Sequence, residues 1–397
     1  MSAMLESLES RQHLSVTSTQ TPLNPRFHTP TTVDSAADDQ GRTYVASIYR
    51  EQGQISVIRV VDGKQDTSYG KNGFAIVPVA VGGTSKRQLQ VTVDHAGRVV
   101  MLHDRMLTRL ASNGKLDITF GTRGKQPLPI VSKAADVAVD SKNRPVVVGT
   151  SAGKTGDRGT LLRLTDRGAL DKSFGGGGTF KTPVPIDAQV QIPGNASGRS
   201  LRVLANDQIV GAIHTKYLVA RPADGGESVD GARVFRVNPN GSLDTSYGTM
   251  GYSVVERESG QSNSHSATVL SILSDGSYFV DEHRFSWRDE GGSFTTDEIS
   301  FYNASGALTK YSVKAVPRSI GRATDIPRPI VLGRDDEGRY LLGSHDKTYR
   351  LGADFSFDTS FTPVSGSVIG GNVDAEGTVT VIGSARKGRV YVTTIKA

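Results

Sequence analysis

The chain has no cysteine and a single tryptophan among its 397 residues. Without thiols there can be no disulfide framework, no thiolate metal site and no cysteine nucleophile. Long apolar runs are missing too: no stretch approaches the ~20 residues of a membrane helix, and the N-terminus has no apolar core of a secretory signal. Basic runs are absent as well. Lys and Arg (46) are scattered among Asp and Glu (40), so the formal charge of +6 reads as a solvated surface and not a nucleic-acid groove. No segment with helical periodicity and caps stands out. What remains is plentiful Gly (45 residues) between short runs of Val, Leu and Ile, the composition of many short strands joined by turns.

Within that background one phrase returns five times: Asp66-Thr67-Ser68-Tyr69-Gly70, Asp117-Ile118-Thr119-Phe120-Gly121, Asp171-Lys172-Ser173-Phe174-Gly175, Asp244-Thr245-Ser246-Tyr247-Gly248 and Asp358-Thr359-Ser360-Phe361. Arg109, Arg163, Arg236 and Arg350 each stand eight residues upstream of their Asp, and Arg59 stands seven upstream. A second phrase alternates with the first: Asp94-His95-Ala96-Gly97-Arg98, Asp140-Ser141-Lys142-Asn143-Arg144, Asp335-Asp336-Glu337-Gly338-Arg339 and Asp374-Ala375-Glu376-Gly377, with weaker copies at 38–42, 205–207 and 274–276. An acidic residue capping the turn amides, followed by Gly or Asn tolerating positive φ, makes a tight hairpin between two apolar runs. A third run carries the recurring Arg, and the Asp-x-Ser-Phe-Gly turn leads into a fourth. Four antiparallel strands repeated in this way predict an all-β fold, a seven-bladed β-propeller of four-stranded blades, with six blades as the alternative. The last unit runs out of chain after its third strand. Its fourth is expected from the N-terminal segment, within 14–19 or 27–33, which would remove a free sheet edge.

The phrase Arg163-Leu164, Gly168, Leu170-Asp171, Ser173-Phe174-Gly175, with its Asp-x-x-Gly-Arg partner, resembles the delta-60 repeat, over roughly residues 36 to 390. The resemblance implies a β-propeller domain of bacterial surface and secreted proteins, of unknown function. It is degenerate at Gly306-Ala307-Leu308-Thr309, where Asp is lost. The segment Leu5-Glu6-Ser7-Leu8-Glu9-Ser10-Arg11-Gln12-His13-Leu14-Ser15 resembles an N-terminal signature of exported proteins from planctomycete-type bacteria, departing at His13. Residues 1–22 are accordingly expected to be a sorting and linker segment and 23–397 the propeller, at the cell surface or outside the cell.

A residue that serves every blade equally is read as serving the blade. Asp and Ser/Thr two apart satisfy turn amides, the aromatic packs between sheets, and Arg reaches the Asp or a turn carbonyl. Function is expected instead on the opposite face, where 151–159, 187–200, 221–231, 284–296 and 314–329 interrupt the repeat. In 221–231 one base faces Asp224, Glu227 and Asp230; the span 281–298 sets Arg284 and Arg288 against six acids, on a chain that is net basic. An indole beside carboxylates can hold a sugar ring by stacking and hydrogen bonds. The candidate ligand-binding residues are therefore Trp287, Arg284, Arg288, Asp289, Glu290 and His283. His214, His283 and His345 occupy matching strand ends, with His103 offset by one, which reads as a shared surface position and not a metal site. No catalytic residue, metal or cofactor is assigned. The expectation is a non-enzymatic binding or structural module, monomeric, meeting a glycan or another surface protein, without nucleic acid or a membrane span. A carbohydrate-active enzyme using acids within 281–298 is the alternative.

Overall fold

The computed structural model describes residues 16–19, 30, 32–49, 51–79, 89–152, 158–182, 188–191, 200–219, 227–255, 263–287, 293–313, 330–335, 337–344, 347–363, 365, 367–373, 379–385 and 389–395. Among them there is no helix, and so none long and apolar enough to cross a membrane. The strands form antiparallel sheets, numbered here in chain order. Sheet 1 runs Thr32–Ala37, Thr43–Tyr49, Gln54–Val61, Ala75–Pro78, with the short Lys64–Gln65 alongside; sheet 2 runs Leu89–Val93, Val99–His103, Met106–Leu110, Lys125–Pro127. Sheet 3 is Lys133–Val139, Pro145–Ser151, Arg158–Arg163, Thr179–Lys181. In sheet 4 both Ala188–Gln191 and Leu201–Val203 pair with Ile209–Val219, followed by Glu227–Val237 and Tyr252–Val255. Sheet 5 is Asn263–Ile272, Tyr278–Trp287, Ser293–Tyr302, Leu308–Val313; sheet 6 is Ile330–Arg334, Tyr340–Gly343, Thr348–Leu351. Sheet 7 combines Ser367–Val373, Val379–Ala385 and Arg389–Ile395 with Val16–Thr19.

The sheets form a ring. Thr32–Ala37 abuts Leu89–Val93, which abuts Lys133–Val139, which abuts Leu201–Val203; sheet 4 meets Asn263–Ile272, then Ile330–Arg334, then Ser367–Val373, which returns to Thr32–Ala37. This is a β-propeller, with first strands innermost. Apolar residues of facing sheets fill each wedge, as Tyr44, Val57 and Tyr69 do with Val91 and Met101 between sheets 1 and 2.

The expectation of seven four-stranded blades gives way to the six-blade alternative. Among the described residues six sheets have four or more strands, the number of the six-blade alternative, while sheet 6 has three. Its outer strand is missing for a countable reason. From Phe120 to the next inner strand at Lys133 the chain has room for a Gly turn and an outer strand, but from Phe361 it reaches the strand starting at Ser367 in six residues. Among the described residues of that span, Ser365 alone makes a bridge, to Lys347. At the seam, Val16–Thr19 pairs with Arg389–Ile395 from Val16↔Ile395 to Thr19↔Val392, so the segment 1–22 contains a strand of the propeller.

Candidate functional site

Because successive strands are antiparallel, the hairpins after each first strand and the turns after each third strand lie on one face of the disc. Both repeated phrases therefore share that face, and their side chains are consumed in holding it together. In sheet 2 the Arg109 Nε donates to Asp117 Oδ2 at 2.8 Å, while Asp117 Oδ1 accepts from the Thr119 amide at 3.1 Å and its hydroxyl at 2.6 Å. The guanidinium lies over the Phe120 ring, 4.5 Å from its centroid. Its Nη1 crosses to the next sheet and donates to the Asp166 carbonyl, and the Gly121 amide donates to the Arg167 carbonyl at 2.8 Å.

The same two crossing bonds recur from sheet to sheet. Arg59 reaches the Ser112 carbonyl at 3.0 Å and Gly70 the Asn113 carbonyl at 2.9 Å. Arg163 reaches Pro239 at 2.6 Å, with Gly175 on Asn240 at 2.8 Å. Arg236 reaches Ala304 at 3.2 Å, with Gly248 on Ser305 at 2.9 Å. Glycine is required at the crossing. A Cβ on Gly241 would sit 2.2 Å from the Gly175 nitrogen, and its φ is +88°. Tyr69, Phe120, Phe174 and Tyr247 are fully buried, each between its own sheet and the next. The repeated residues are thus a clamp between sheets, and Arg serves the Asp and the carbonyl together because its guanidinium carries five donors.

Electrostatics follow the geometry. The Ser68 hydroxyl, then Arg59, hold the Asp66 carboxyl down to about 2 against the opposing effect of burial. Burial is the largest influence on Asp117, Asp171, Asp244 and Asp358 and raises each. The hydroxyl, amide and Arg bonds outweigh it and leave all four below the ordinary carboxylate value. The first hairpins are capped by the same kind of bonds: Asp94 Oδ1 accepts from the Ala96 and Arg98 amides at 3.0 and 2.9 Å, and Asp94 Oδ2 accepts from Arg98 Nε at 2.7 Å. Their tips are also linked, His95 Nδ1 to Asp39 at 2.7 Å and Ser141 Oγ to Asp207 at 2.6 Å.

The opposite face differs from the expectation of irregular loops. In sheet 4, Ile209–Val219 and Glu227–Val237 pair continuously from Ile209↔Val237 to Val219↔Glu227, eleven pairs. In sheet 5, Tyr278–Trp287 and Ser293–Tyr302 pair from Tyr278↔Tyr302 to Trp287↔Ser293, ten pairs. The corresponding hairpins of sheets 1 and 7 have seven pairs, and that of sheet 2 has five. At 3.3 Å per residue, two neighbouring hairpins thus stand on the order of 10 Å above the rest.

Three of the candidate residues fall on this projection. His283, Arg284 and Trp287 lie in the strand Tyr278–Trp287, opposite Asp297, Thr296 and Ser293; Arg288, Asp289 and Glu290 lie outside the described residues, as does His345. Strand alternation divides the first three. Tyr278, Val280 and Glu282 share a parity with Arg284, and Tyr278 and Val280 pack towards sheet 4. Phe279 shares its parity with His283 and Trp287, and it packs towards sheet 6. Sequence reasoning gave no special place to Glu282, which is buried at the foot of the hairpin and accepts a hydrogen bond from the Ser300 hydroxyl.

His103 does not share the expected surface position. It is 9% exposed, its Nε2 lies 3.0 Å from Thr108 Oγ1, and burial pulls it down to about 4, so it is neutral at physiological pH. Among the described residues no group of His, Asp and Glu could hold a metal ion.

No family model and no curated protein matches the chain. Solved structures do. The polysaccharide lyase Uly1 is similar at a TM-score of 0.52 and 10% identity, over 89% of this chain and 88% of that one. An α-L-arabinanase of Penicillium chrysogenum gives 0.39 and 11%, over 96% of each chain. An acylaminoacyl peptidase of Pyrococcus horikoshii gives 0.44 and 8%, over 90% of this chain and 49% of that one. At such identities the first likeness speaks for the fold alone, and the others carry no argument.

Proposed function

We propose that this β-propeller is a non-enzymatic binding module outside the cell or on its surface, meeting its ligand on the two raised hairpins of sheets 4 and 5. The observation that carries the reading is the contrast between faces. One face spends its repeated polar side chains on neighbouring sheets, while the other raises two adjacent hairpins beyond any need of the ring. The segment 221–231 of the first hairpin and the whole of the second are net acidic on a basic chain, and the second carries the only tryptophan. A ligand with hydroxyl or cationic groups, a glycan or a basic surface of another protein, suits that chemistry. The delta-60 resemblance and the N-terminal signature support the location.

Binding to a glycan array by the wild type and Trp287→Ala tests the site. Loss of signal in the variant is expected, and equal signal from both ends the assignment of Trp287. An enzyme acting on carbohydrate is the second reading. Glu282 favours it, as a carboxyl withdrawn from water at the foot of the raised hairpin. Turnover of an array-positive glycan that Glu282→Gln abolishes would replace the binding module with that enzyme.

A further inference from the structure

Bases are not spread evenly round the clamp face. Each crossing bond joins two turns, the two residues after the donating glycine and the three that begin at its acceptor. Where sheet 1 meets sheet 2 these turns carry Lys71 and Lys115, and where sheet 2 meets sheet 3 they carry Arg123 and Arg167. At the next two junctions none of the same positions is charged: Gly177 and Asn240, then Met250 and Ser305, stand where Arg123 and Arg167 do. All four bases are exposed, and among the described residues none of them enters an ion pair. The carboxylates beside them are already bonded, Asp166 to Arg98 and Arg109, and Asp117 to Arg109. Two neighbouring pairs of like charges thus build a positive potential that no described side chain neutralises.

Turn stability does not account for Arg123. It holds φ at +51°, in the left-handed region that favours glycine and asparagine. The flanking sheets place Asn72 and Gly177 at that corner, while sheet 4 places Met250 there. The guanidinium therefore stands exposed at an unfavourable position, on a turn bonded to the one that carries a second arginine. We propose that the rim of sheets 1 to 3 binds an acidic polysaccharide, whose carboxylate or sulfate groups seat on Lys71 and Lys115 and on Arg123 and Arg167. Paired cations repeated from one junction to the next suit a linear polymer with charge at regular intervals. A guanidinium fork receives either oxyanion through two donors. Ile118, between Lys115 and Arg123 in the chain, is 72% exposed and offers an apolar contact to a sugar ring. This surface lies on the face opposite the raised hairpins, so it is a second site and stands whether or not Trp287 binds a glycan.

Binding of the whole chain to immobilised polygalacturonate and dextran sulfate, with neutral dextran and polyglutamate alongside, tests the proposal. Retention on at least one acidic polysaccharide is expected, weakening as salt rises from about 50 to about 200 mM, with none on neutral dextran. Retention on neither overturns the proposal. Equal or tighter retention on polyglutamate points to an acidic protein and overturns it as well. Arg123→Glu with Arg167→Glu should weaken binding about tenfold or more. Lys133→Glu with Lys181→Glu makes the same change in net charge at the other end of sheet 3 and should alter binding less than about twofold. Equal losses from the two pairs would leave net charge as the cause and contradict a local site. Arg123→Asn separates binding from folding: binding should weaken about threefold while the thermal midpoint rises by about 1 °C, since asparagine suits the corner. Wild-type affinity in Arg123→Asn would also overturn the proposal.

Discussion

Going round the ring from sheet 1, the first four interfaces are built from one set of parts and the remaining three are each different. Sheets 1 to 5 are joined by Arg, Asp, an aromatic and glycine, with two hydrogen bonds crossing at every junction. Between sheets 5 and 6 the Arg position is Phe301, and the junction is a nest of rings: Phe279 lies 5.0 Å from Phe301 and 5.1 Å from Tyr340, with Phe355 stacked on Tyr340 at 5.1 Å. Sheet 5 also lacks the Asp-x-Ser-Phe turn, and Asn303 to Gly306 turns directly into Leu308–Val313. The last sheet meets the first through Thr43 Oγ1 and Thr380 Oγ1, 3.3 Å apart, and through Val45, Ile58, Val60 and Ile382. Polar clamps fix direction and register, whereas aromatic and aliphatic contacts accept several geometries. The clamped half is the specified half, and the raised hairpins stand where specification by repeat ends.

The contrast can be broken most severely at Arg109. Its side chain is 1% exposed, so Arg109→Ala strands Asp117 and removes the bond to sheet 3. A loss of ~3–5 kcal/mol in denaturant unfolding is expected. A loss below about 1 kcal/mol would mean that apolar packing alone holds the clamped half.

Next in size is the acid response of the same half. His103 sits at about 4 when folded, below its ordinary 6.5, because burial disfavours its charge. The unfolded chain therefore takes the proton first. The His103 contribution is whole above pH 6.5 and is lost as pH falls towards 4, by up to roughly 3 kcal/mol. His103→Gln should flatten stability against pH in that window, and an unchanged slope would refute the burial argument.

A smaller effect sharpens the role of the crossing glycines. Gly241→Ala should cost about 2 kcal/mol, because its Cβ meets the Gly175 backbone, while Gly177→Ala, with nothing within 4 Å, should cost about 1 from positive φ alone. Equal midpoint shifts for the two would show that close approach between turns is unimportant.

Local chemistry made much of this fold readable. Asp capping its own turn acts within four residues, so both phrases announced their turns, and the Arg eight residues earlier announced its pairing with Asp. The crossing acceptors were not readable, since a main-chain carbonyl can belong to Ser112, Asp166, Pro239 or Ala304 alike and leaves no mark in composition. The shortened span from Phe361 to Ser367 did carry a signal, a count too small for an outer strand. The raised hairpins misled for another reason. Acidic, Gly-containing segments such as 221–231 read as loops, yet 227–231 belong to a strand that pairs with 215–219 and extends the sheet. The burial of Glu282 beside Ser300 of the next strand likewise depends on packing that no local pattern contains.

Amide exchange at the crossing glycines tests most directly whether the repeated residues are inter-sheet clamps. In the wild type, Gly70, Gly121, Gly175 and Gly248, which donate across sheets, should exchange as slowly as amides at strand centres. In Arg109→Ala, Gly121 should lose protection while Gly248, two junctions away, keeps it. Gly121 unchanged, or all four glycines loosened together, would contradict the account.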